Sequence, residues 1–576
     1  MTGLWVVGAV VAAILFPGGA VASESWSVPE IVAHGAQLAA TASDQDGQVA
    51  AVLDVQGGPK DFGGVSSSVG LSAIVADDDG VVSPPMLLSS SPLANDPGVA
   101  LADNHPVAAW LDLGSSDSSQ GELWVWDSWS SSAPVVPLSG DAYGAPAVAT
   151  DDRGDVVVAW VDASSHEVMA ASSAGGGGFG APVVVSPQES TEDSSDNSPV
   201  ATIDPQGTAT IAWQADAARG FEPAGTPGPP GVVMAASAGP GEPFAAPEAA
   251  LTGAGGTLVQ GLAIQSDANG QVLVSATLAA PPSWTDPSGS PAINFAIASP
   301  GGAFSPQGQL ATTPSGVDPT GWAIAPDGSV LATTAAQTTS GGQLSTTEIA
   351  TNGTTSTQNP FQVAVTPGQL GSVWRIVPGF DSGGDAIVLF TAGETMHPGS
   401  FGNPSAGSIL SVTEPSGSGA WCAAQLVSGL MSPFFPIGVA YDTAGHGIVL
   451  YQQNPWGDIA ASYLTPYQGC PPTTASIPLI IATVARAGRA LHFASIASHC
   501  TVIHECLGKL VLLNRASRTL ASGTVVRSNS SSTTIQVRLT SLGRNTLRHH
   551  NHVHTRAELI TGQSKLALPP VTLTRR

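Results

Sequence analysis

The sequence predicts an all-β protein: an eight-bladed β-propeller closed by its own N-terminal strand and followed by a small C-terminal β-sandwich. Three observations predict it. A hairpin with a short Asp/Gly turn recurs along the first 470 residues, its apolar runs are too short for ordinary helices, and the pattern stops where the charge changes sign. A chain of 576 residues is also too long for one ordinary core. We therefore expect a repeat domain at 23–470 and a separate domain at 471–576.

The repeated unit is clearest at residues 146–160, PAVATDDRGDVVVAW. Two apolar runs, Ala147 to Thr150 and Val156 to Val161, flank an Asp-Asp-Arg-Gly turn, which is the pattern of a β-hairpin. Successive copies lie 50 to 63 residues apart, a period that fits one four-stranded propeller blade. The last turn position of the eight copies falls at Gly47, Asn104, Gly154, Gly207, Gly270, Gly328, Gly384 and Gly445.

Large apolar or aromatic residues occupy the sixth position after the turn in six of these copies. They are Leu53, Trp110, Trp160, Trp213, Phe390 and Tyr451, while Ala276 and Thr334 fill the other two positions.

Six copies carry an aspartate three residues before the turn Gly: Asp44, Asp151, Asp204, Asp267, Asp381 and Asp442. A ring of carboxylates could bind metal, but an Asp that opens a turn closed by Gly commonly accepts hydrogen bonds from its own backbone two or three residues on. We interpret these residues as turn formers, and the sequence predicts no metal site and no cofactor.

The ring is predicted to close through the N-terminus. The eighth copy reaches Cys470 without a fourth strand, whereas residues 25–33, SWSVPEIVA, follow the pattern of the fourth-strand segment FGAPVVVSP at 179–187. We therefore expect residues 25–33 to complete the last blade.

Charge divides the chain in two. Residues 1–470 hold 41 of the 43 acids and four bases, a net charge of −37, whereas residues 471–576 hold 13 bases and two acids, a net charge of +11. The acidic part is excluded as a nucleic-acid binder, and the basic part could contact polyanions. Seven strand candidates in the basic part predict an immunoglobulin-like sandwich. Its run HHNHVH at 549–554 is read either as a metal-binding cluster or, preferably, as a polar edge strand.

The N-terminus predicts export. Leu4 to Phe16 form a 13-residue apolar core, and Ala20-Val21-Ala22 is a small-x-small cleavage site, so residues 1–22 are interpreted as a signal peptide and the mature protein as secreted or associated with the cell surface. No second apolar run is long enough to span a membrane. Four cysteines in an exported chain suggest two disulfides, and of three possible pairings we expect Cys500 with Cys506 and Cys422 with Cys470.

The Asp-x-x-Gly hairpins resemble the repeats of secreted bacterial β-propellers of the sialidase-like and WD-repeat-like kind, over residues 25–470. Residues 150–154 are similar to the start of a neuraminidase Asp-box, S/T-x-D-x-G. The tail resembles C-terminal β modules of actinobacterial exported proteins, on its C-x5-C, GKLVL and QVRLT segments. These resemblances imply the fold and export, and neither implies a specific activity.

No sequence motif identifies a catalytic activity. A sialidase-type site would need three convergent arginines, and Arg153, Arg219 and Arg375 lie on different kinds of segment. A glycoside hydrolase or lyase would need a carboxylate pair, and no spacing singles one out. We therefore predict an exported non-catalytic protein that binds glycan or an envelope protein; the alternative is a carbohydrate-active enzyme.

Ligand binding is predicted on the face that carries the long, uneven loops, because variable loops on a rigid scaffold are where binding is usually found. Aromatic rings with neighbouring carboxylates suit sugar stacking and hydroxyl bonding. The candidate ligand-binding residues are Trp284, Trp456, Arg219, Asp216, Glu222 and Phe401.

Overall fold

The structure is a computed structural model. The residues that it describes are 26, 30–34, 36–44, 47–56, 68–77, 81–113, 120–129, 135–186, 199–215, 230–255, 257–279, 292–305, 308–310, 320–338, 341–351, 354–362, 371–381, 383–394, 407–422, 424–431, 437–441, 446–454, 458–464, 479–481, 484–487, 493–500, 508–514, 518–525, 533–561 and 564–575.

The chain is nearly all β. Up to residue 464 the strands are β1 (Glu30–His34), β2 (Ala36–Ser43), β3 (Val49–Gln56), β4 (Ser68–Ala76), β5 (Met86–Ser89), β6 (Ala94–Ala102), β7 (His105–Leu113), β8 (Gln120–Asp127), β9 (Val135–Thr150), β10 (Val156–Asp162), β11 (Val168–Ser173), β12 (Val183–Val184), β13 (Val200–Ile203), β14 (Ala209–Ala215), β15 (Pro230–Ala238), β16 (Glu248–Gly255), β17 (Leu258–Ser266), β18 (Val272–Ala279), β19 (Ala292–Ala298), β20 (Gly308–Gln309), β21 (Thr320–Ile324), β22 (Val330–Thr338), β23 (Gly341–Ile349), β24 (Thr355–Gln362), β25 (Gly371–Phe380), β26 (Ala386–Glu394), β27 (Gly407–Glu414), β28 (Gln425–Met431), β29 (Ile437–Tyr441), β30 (Gly447–Asn454) and β31 (Asp458–Leu464).

These strands form antiparallel sheets that follow one another along the chain. We number them sheet 1 (β2–β5), sheet 2 (β6–β12), sheet 3 (β13–β16), sheet 4 (β17–β20), sheet 5 (β21–β24), sheet 6 (β25–β28) and sheet 7 (β29–β31 with β1). Sheet 2 has seven strands because the 16-residue β9 pairs with β8 through its first half and with β10 through its second half. Two repeats of the sequence pattern therefore share one continuous strand, which the sequence did not predict.

The first strand of each hairpin contacts the first strand of the next. These contacts join β2 to β6, β6 to β9, β9 to β13, β13 to β17, β17 to β21, β21 to β25, β25 to β29, and β29 back to β2. The eight strands, which we call the inner strands, therefore surround a common axis. This closed ring of sheets is the arrangement of a β-propeller.

The hairpin turns have one backbone geometry. In the six described copies with Gly at the last turn position, its φ lies between +78° and +86°, a left-handed conformation that costs glycine least. The aspartates act as turn formers: Oδ1 of Asp204, for example, accepts the amides of Gln206 at 2.9 Å and Thr208 at 2.8 Å. Asp151 and Asp267 make the same pair of bonds. Asp442 lies outside the described residues.

Apolar clusters between neighbouring sheets form the core. The six large residues at the sixth position after the turn are all 2% exposed or less. Trp110 packs with sheet 1, Trp213 with sheet 2, and Phe390 with sheet 5. Sheet 7 packs against both sheet 6 and sheet 1, which closes the ring through apolar contact.

The N-terminal strand completes sheet 7. Residues 30–34 pair antiparallel with β31, with Glu30 opposite Ala461 and His34 opposite Asp458. Nδ1 of His34 lies 2.8 Å from Oδ1 of Asp458. Upstream, Trp26 is buried among residues of sheets 6 and 7, and its indole Nε1 donates to the hydroxyl of Ser411 at 2.9 Å.

Beyond residue 470 the strands form a second unit. They are β32 (Leu479–Ile481), β33 (Val484–Ala487), β34 (Phe493–Cys500), β35 (Gly508–Leu513), β36 (Thr519–Val525), β37 (Thr533–Leu539), β38 (His552–Thr561) and β39 (Ser564–Arg575), with helix α1 (Ser541–His549) between β37 and β38. The sheet order is β32-β34-β33-β39-β38-β35-β36-β37, with a further pairing of β34 and β37.

Two details of this unit differ from the sequence prediction. The first of the seven strand candidates, residues 477–484, overlaps two strands, β32 and β33, and a helix that was not predicted precedes β38. Thr540 caps this helix by accepting the amide of Gly543 on Oγ1 at 3.1 Å. The run HHNHVH is strand only in part: its first residue ends α1, and only its last three residues belong to β38, where they pair with β39.

Cys422 is buried and disulfide-bonded. Its pairing with Cys470 stays a prediction because Cys470 lies outside the described residues, as does Cys506, the expected partner of Cys500. Residues 1–22 are also outside them. No helix in the described part of the chain has the length and apolar character needed to cross a membrane.

Candidate binding site

A cavity of about 600 Å³ lies on the axis of the ring. Its walls come from inner strands β2, β17, β21, β25 and β29, which belong to sheets 1, 4, 5, 6 and 7. The lining runs are 41–44, 261–268 without 262 and 264, 321–326 without 323, 376–381 and 437–441. Four of these runs include turn residues, so the cavity reaches the end of the axis where the Asp/Gly turns lie.

Small residues let the inner strands approach closely around this cavity. A Cβ on Gly438 would come within 3.0 Å of Thr41 of sheet 1, and one on Gly321 would meet the ring of Pro378 of sheet 6. A hydrogen bond also joins two of the inner strands beside the cavity. Nε2 of Gln265 donates to the carbonyl of Trp322 at 2.8 Å, which joins sheets 4 and 5.

Three turn aspartates line the cavity: Asp44, Asp267 and Asp381. Each is oriented by its own turn, since Oδ1 accepts the amides of Gln48 at 2.9 Å, Gln271 at 2.7 Å and Asp385 at 2.8 Å respectively. The described residues that line the cavity include no Lys, Arg or His. The wall therefore offers hydrogen-bond acceptors and negative charge, which suits hydroxyl donors and disfavours anions.

Burial perturbs the proton affinity of two neighbouring side chains in this wall. Desolvation raises the pKa of Asp381, and the nearby Asp385 carboxylate acts in the same direction against the turn amides that bind Asp381. Burial, together with the charge of Asp381, raises the pKa of Tyr441 well above its ordinary value. The Tyr441 hydroxyl is buried with no hydrogen-bond partner among the described residues, while its ring lies between Gly379 and Gly447.

The predicted ligand-binding residues cannot be related to this cavity. Trp284, Trp456, Arg219, Asp216, Glu222 and Phe401 all lie outside the described residues. Among the described residues, no group of three or more His, Cys, Asp or Glu has the arrangement of a metal site.

The other two arginines of the ring lie in different environments. Arg153 donates from Nη2 to Asp151 at 2.7 Å within its turn, and Asp155 is 3.5 Å away. Arg375 is on inner strand β25 at a positive φ of 40°.

Sequence reasoning missed the axial residues. It assigned the turn aspartates a local structural role, which they have, but a turn position alone does not reveal that three of them border one cavity. The signal available was positional: the residues just before each turn Asp are small or apolar, as in Ala42-Ser43-Asp44 and Gly379-Phe380-Asp381.

Comparison with known proteins gives similarity in structure only. No protein-family model matches the chain, and no curated protein matches it. Among solved structures, an ulvan lyase of polysaccharide lyase family PL25 bound to a glycan is 11% identical, with 69% of this chain and 96% of that chain covered and a TM-score of 0.40. The Hadza microbial sialidase Hz136 is 13% identical, with 77% and 97% covered and a TM-score of 0.32.

The α-L-arabinanase of Penicillium chrysogenum complexed with arabinobiose is 10% identical, with 55% of this chain and 92% of that chain covered and a TM-score of 0.31. These proteins are β-propellers. Similarity at this level does not identify what the present chain binds.

Proposed function

We propose that this chain is an exported binding protein that takes a neutral, hydroxyl-rich ligand, a saccharide, in its axial cavity. The observation that carries the proposal is the chemistry of the cavity wall: three oriented carboxylates and the Gln265 amide, with no cationic side chain among the described lining residues. Carboxylates accept hydrogen bonds from sugar hydroxyls, whereas an acidic sugar would be repelled. A volume of about 600 Å³ lies within the usual range for small-molecule sites.

The test is a binding titration with neutral and acidic oligosaccharides on a variant that fills the cavity. Ala263 lines the cavity from β17 and belongs to none of the apolar clusters of the core, so Ala263→Phe should occupy ligand space. We expect the variant to lose at least about tenfold in affinity for the neutral ligand, equal to about 1.4 kcal/mol. The matched control is Val184→Phe on the outer strand β12, where the side chain is exposed.

Equal binding of the neutral ligand by Ala263→Phe and the parent would contradict the proposal, as would binding of acidic oligosaccharides that Ala263→Phe abolishes. Circular dichroism and the melting temperature of both variants separate a blocked cavity from a damaged fold.

A second candidate is a carbohydrate-active enzyme, and the raised pKa of Asp381 is the observation that favours it. A carboxyl whose pKa is raised by burial beside other carboxylates is the kind of group that can act as a general acid. In that case a panel of polysaccharides incubated with the protein would release reducing ends or unsaturated products, and Asp381→Asn would abolish release. Binding without release supports the non-catalytic function.

We further infer that the ring has eight blades. Six four-stranded sheets are single blades, and sheet 2 counts as two because β9 serves as the outer strand of one and the inner strand of the next. The apolar cluster that joins Val107 and Leu123 to Val158 and Trp160 supports this division, since it packs one half of sheet 2 against the other.

For residues 471–576 we propose an immunoglobulin-like sandwich. The antiparallel pairing of β32 with β34 and the parallel pairing of β33 with β39 support it, because neighbouring strands at the start of the unit then pair with two different partners. Export and cleavage after residue 22 belong to the same proposal, as does a contribution of the long-loop residues Trp284 and Trp456 to binding.

A further inference from the structure

The end of α1 and the beginning of β38 carry basic and imidazole side chains that the cavity proposal does not use. All six are exposed, and we call them the imidazole strip: Arg548, His549, His550, His552, His554 and Arg556. Six such residues within nine positions give this surface the densest set of ionisable nitrogen groups in the described part of the chain.

Regular elements hold the strip in place. The amide of His550 donates to the carbonyl of Thr546 at 2.9 Å and so ends the helix. On β38 the inward positions Thr555 and Ala557 are buried, so the alternation of a strand turns His552, His554 and Arg556 outward. The hydroxyl of Thr555 donates to the carbonyl of Val571 at 2.6 Å, which fixes β38 on β39.

The charges around the strip are mostly of one sign. Arg575 of β39 is exposed, and its amide donates to the carbonyl of Asn551 at 3.0 Å, beside the strip. Arg544 of α1 turns back to donate to the carbonyl of Leu539 at 2.8 Å. The backbone of Arg486 on β33 pairs with that of Thr574 on β39, and Thr574 pairs on its other side with His552. Glu558, two positions beyond Arg556, is the only acid on β38.

Contacts of the histidines leave most of their ring surface in solvent. Nδ1 of His554 lies 3.0 Å from the hydroxyl of Thr572 on β39, which orients that ring. A protonated imidazole carries a positive charge, so the four histidines can add up to four positive charges to those of the two arginines in the strip.

We propose that the imidazole strip binds an anionic polysaccharide and binds it more tightly at acidic pH. Outward residues two apart on a strand are about 6.7 Å apart, so His552, His554 and Arg556 form a line of positive charge that suits an extended polymer. A lipid surface would require exposed apolar side chains in the strip, and there are none.

Nucleic acid fits less well for two reasons. The whole chain carries a net charge of −26, which opposes a densely charged duplex. The strip also has no Phe, Tyr or Trp on which unpaired bases could stack. A polysaccharide with sparse carboxylates or sulfates meets neither obstacle, because a few fixed cations can match its charges one by one.

The experiment measures binding of the full chain to immobilised dextran sulfate with a low degree of sulfation, whose sulfates stay ionised, at pH 5.5 and pH 7.5 and constant ionic strength, with uncharged dextran as the blank. We expect at least tenfold tighter binding at pH 5.5 and weakening by added salt. A variant with His549→Gln, His550→Gln, His552→Gln and His554→Gln should lose most of this pH dependence. The control His166→Asn, in the turn after β10, should keep it.

An unchanged pH dependence in the fourfold variant would overturn the proposal, and so would stronger binding to single-stranded DNA or to anionic vesicles of equal charge. The melting temperature shows that the variant is folded. Ala263→Phe should bind dextran sulfate like the parent, so failure of the cavity proposal and failure of this one give different results.

Discussion

The guanidinium of Arg153, in the turn after β9, occupies the space that a Cβ on Gly207 would need in the turn after β13. The same relationship recurs one sheet further on, where the amide oxygen of Gln206 lies over Gly270, and Asn269 then donates to the carbonyl of Pro326 at 3.2 Å. In these three turns the residue before the turn Gly therefore reaches the next turn. Glycine is required there both for its positive φ and for the neighbouring side chain.

Substituting Gly207 by Ala should destabilise the protein by about 2–3 kcal/mol, because backbone strain and displacement of Arg153 add. Gly241→Ala is the matched control: its φ of +71° is also positive, but nothing lies within 4 Å of the added Cβ. We expect about 1 kcal/mol there. Urea unfolding of both variants measures the difference.

The double variant Arg153→Ala with Gly207→Ala should recover part of that loss, a coupling energy of about 1 kcal/mol. Strict additivity would mean that the two turns do not interact.

Trp26 should anchor the closing segment. Trp26→Ala removes a side chain that is 8% exposed between sheets 6 and 7, and we expect a loss of about 3–5 kcal/mol in unfolding free energy and increased aggregation, because β1 protects the edge of β31. Trp26→Phe keeps most of the volume and loses the bond to Ser411, so it should cost about 1–2 kcal/mol.

Deletion of residues 23–33 tests the same closure without relying on one side chain. An unchanged melting temperature and unchanged solubility in the deletion would contradict it.

Two aspartates should give opposite pH dependences of stability. Burial raises the pKa of Asp127 although the Trp129 amide and His105 oppose this, whereas the amide and hydroxyl of Ser329 lower the pKa of Asp327. Asp127 ionises more readily in the unfolded chain, so its effect destabilises the fold as the pH rises from about 4 through the folded pKa. Asp327 contributes stability above the unfolded value that is lost as the pH falls.

The measurement is the unfolding free energy from pH 3 to pH 7 for the parent, Asp127→Asn and Asp327→Asn. The parent should lose stability relative to Asp127→Asn as the pH rises and should gain relative to Asp327→Asn. Parallel curves for all three proteins would refute the assignment.

Cys422 should pair with Cys470, and Cys500 with Cys506. The first bond closes a loop of 48 residues and should contribute roughly 3–4 kcal/mol, so Cys470→Ser should lower stability by that amount under oxidising conditions and by much less with reductant. Peptide mapping without reduction identifies the pairs directly, and free thiols or crossed pairs would contradict the prediction.

The long-loop face should contribute to ligand binding. Trp284→Ala and Trp456→Ala are expected to weaken glycan binding several-fold with the fold intact, because each removes an aromatic surface for sugar stacking. Comparing the glycan affinity of these variants with that of Ala263→Phe shows which end of the axis contributes to binding, the long-loop face or the cavity near the Asp/Gly turns. Unaltered binding across a ligand panel, or unfolding of both variants, would remove this face from the site.

The sequence by itself determined the hairpin repeat, the position of each turn and the buried residue six positions later, because these depend on local turn chemistry and on strand periodicity. It also determined that residues near the N-terminus extend the last sheet, since one copy of the pattern lacked its outer strand. The seven-stranded sheet 2 could not be predicted. Whether the outer strand of one repeat continues into the inner strand of the next depends on how the two halves of the sheet pack against each other. The short helix α1 has no long apolar period and depends on the Thr540 cap and on packing of Leu547.

The candidate sites were decided by the tertiary structure. Asp44, Asp267 and Asp381 are separated by more than a hundred residues each and border one cavity only because inner strands from separate repeats surround the same axis. A turn aspartate carries the same local signal whether it faces solvent or a cavity, so its second role depends on where ring closure puts it. The histidines after α1 were visible as a cluster, but their exposure on one face follows from the change from helix to strand between His549 and His552.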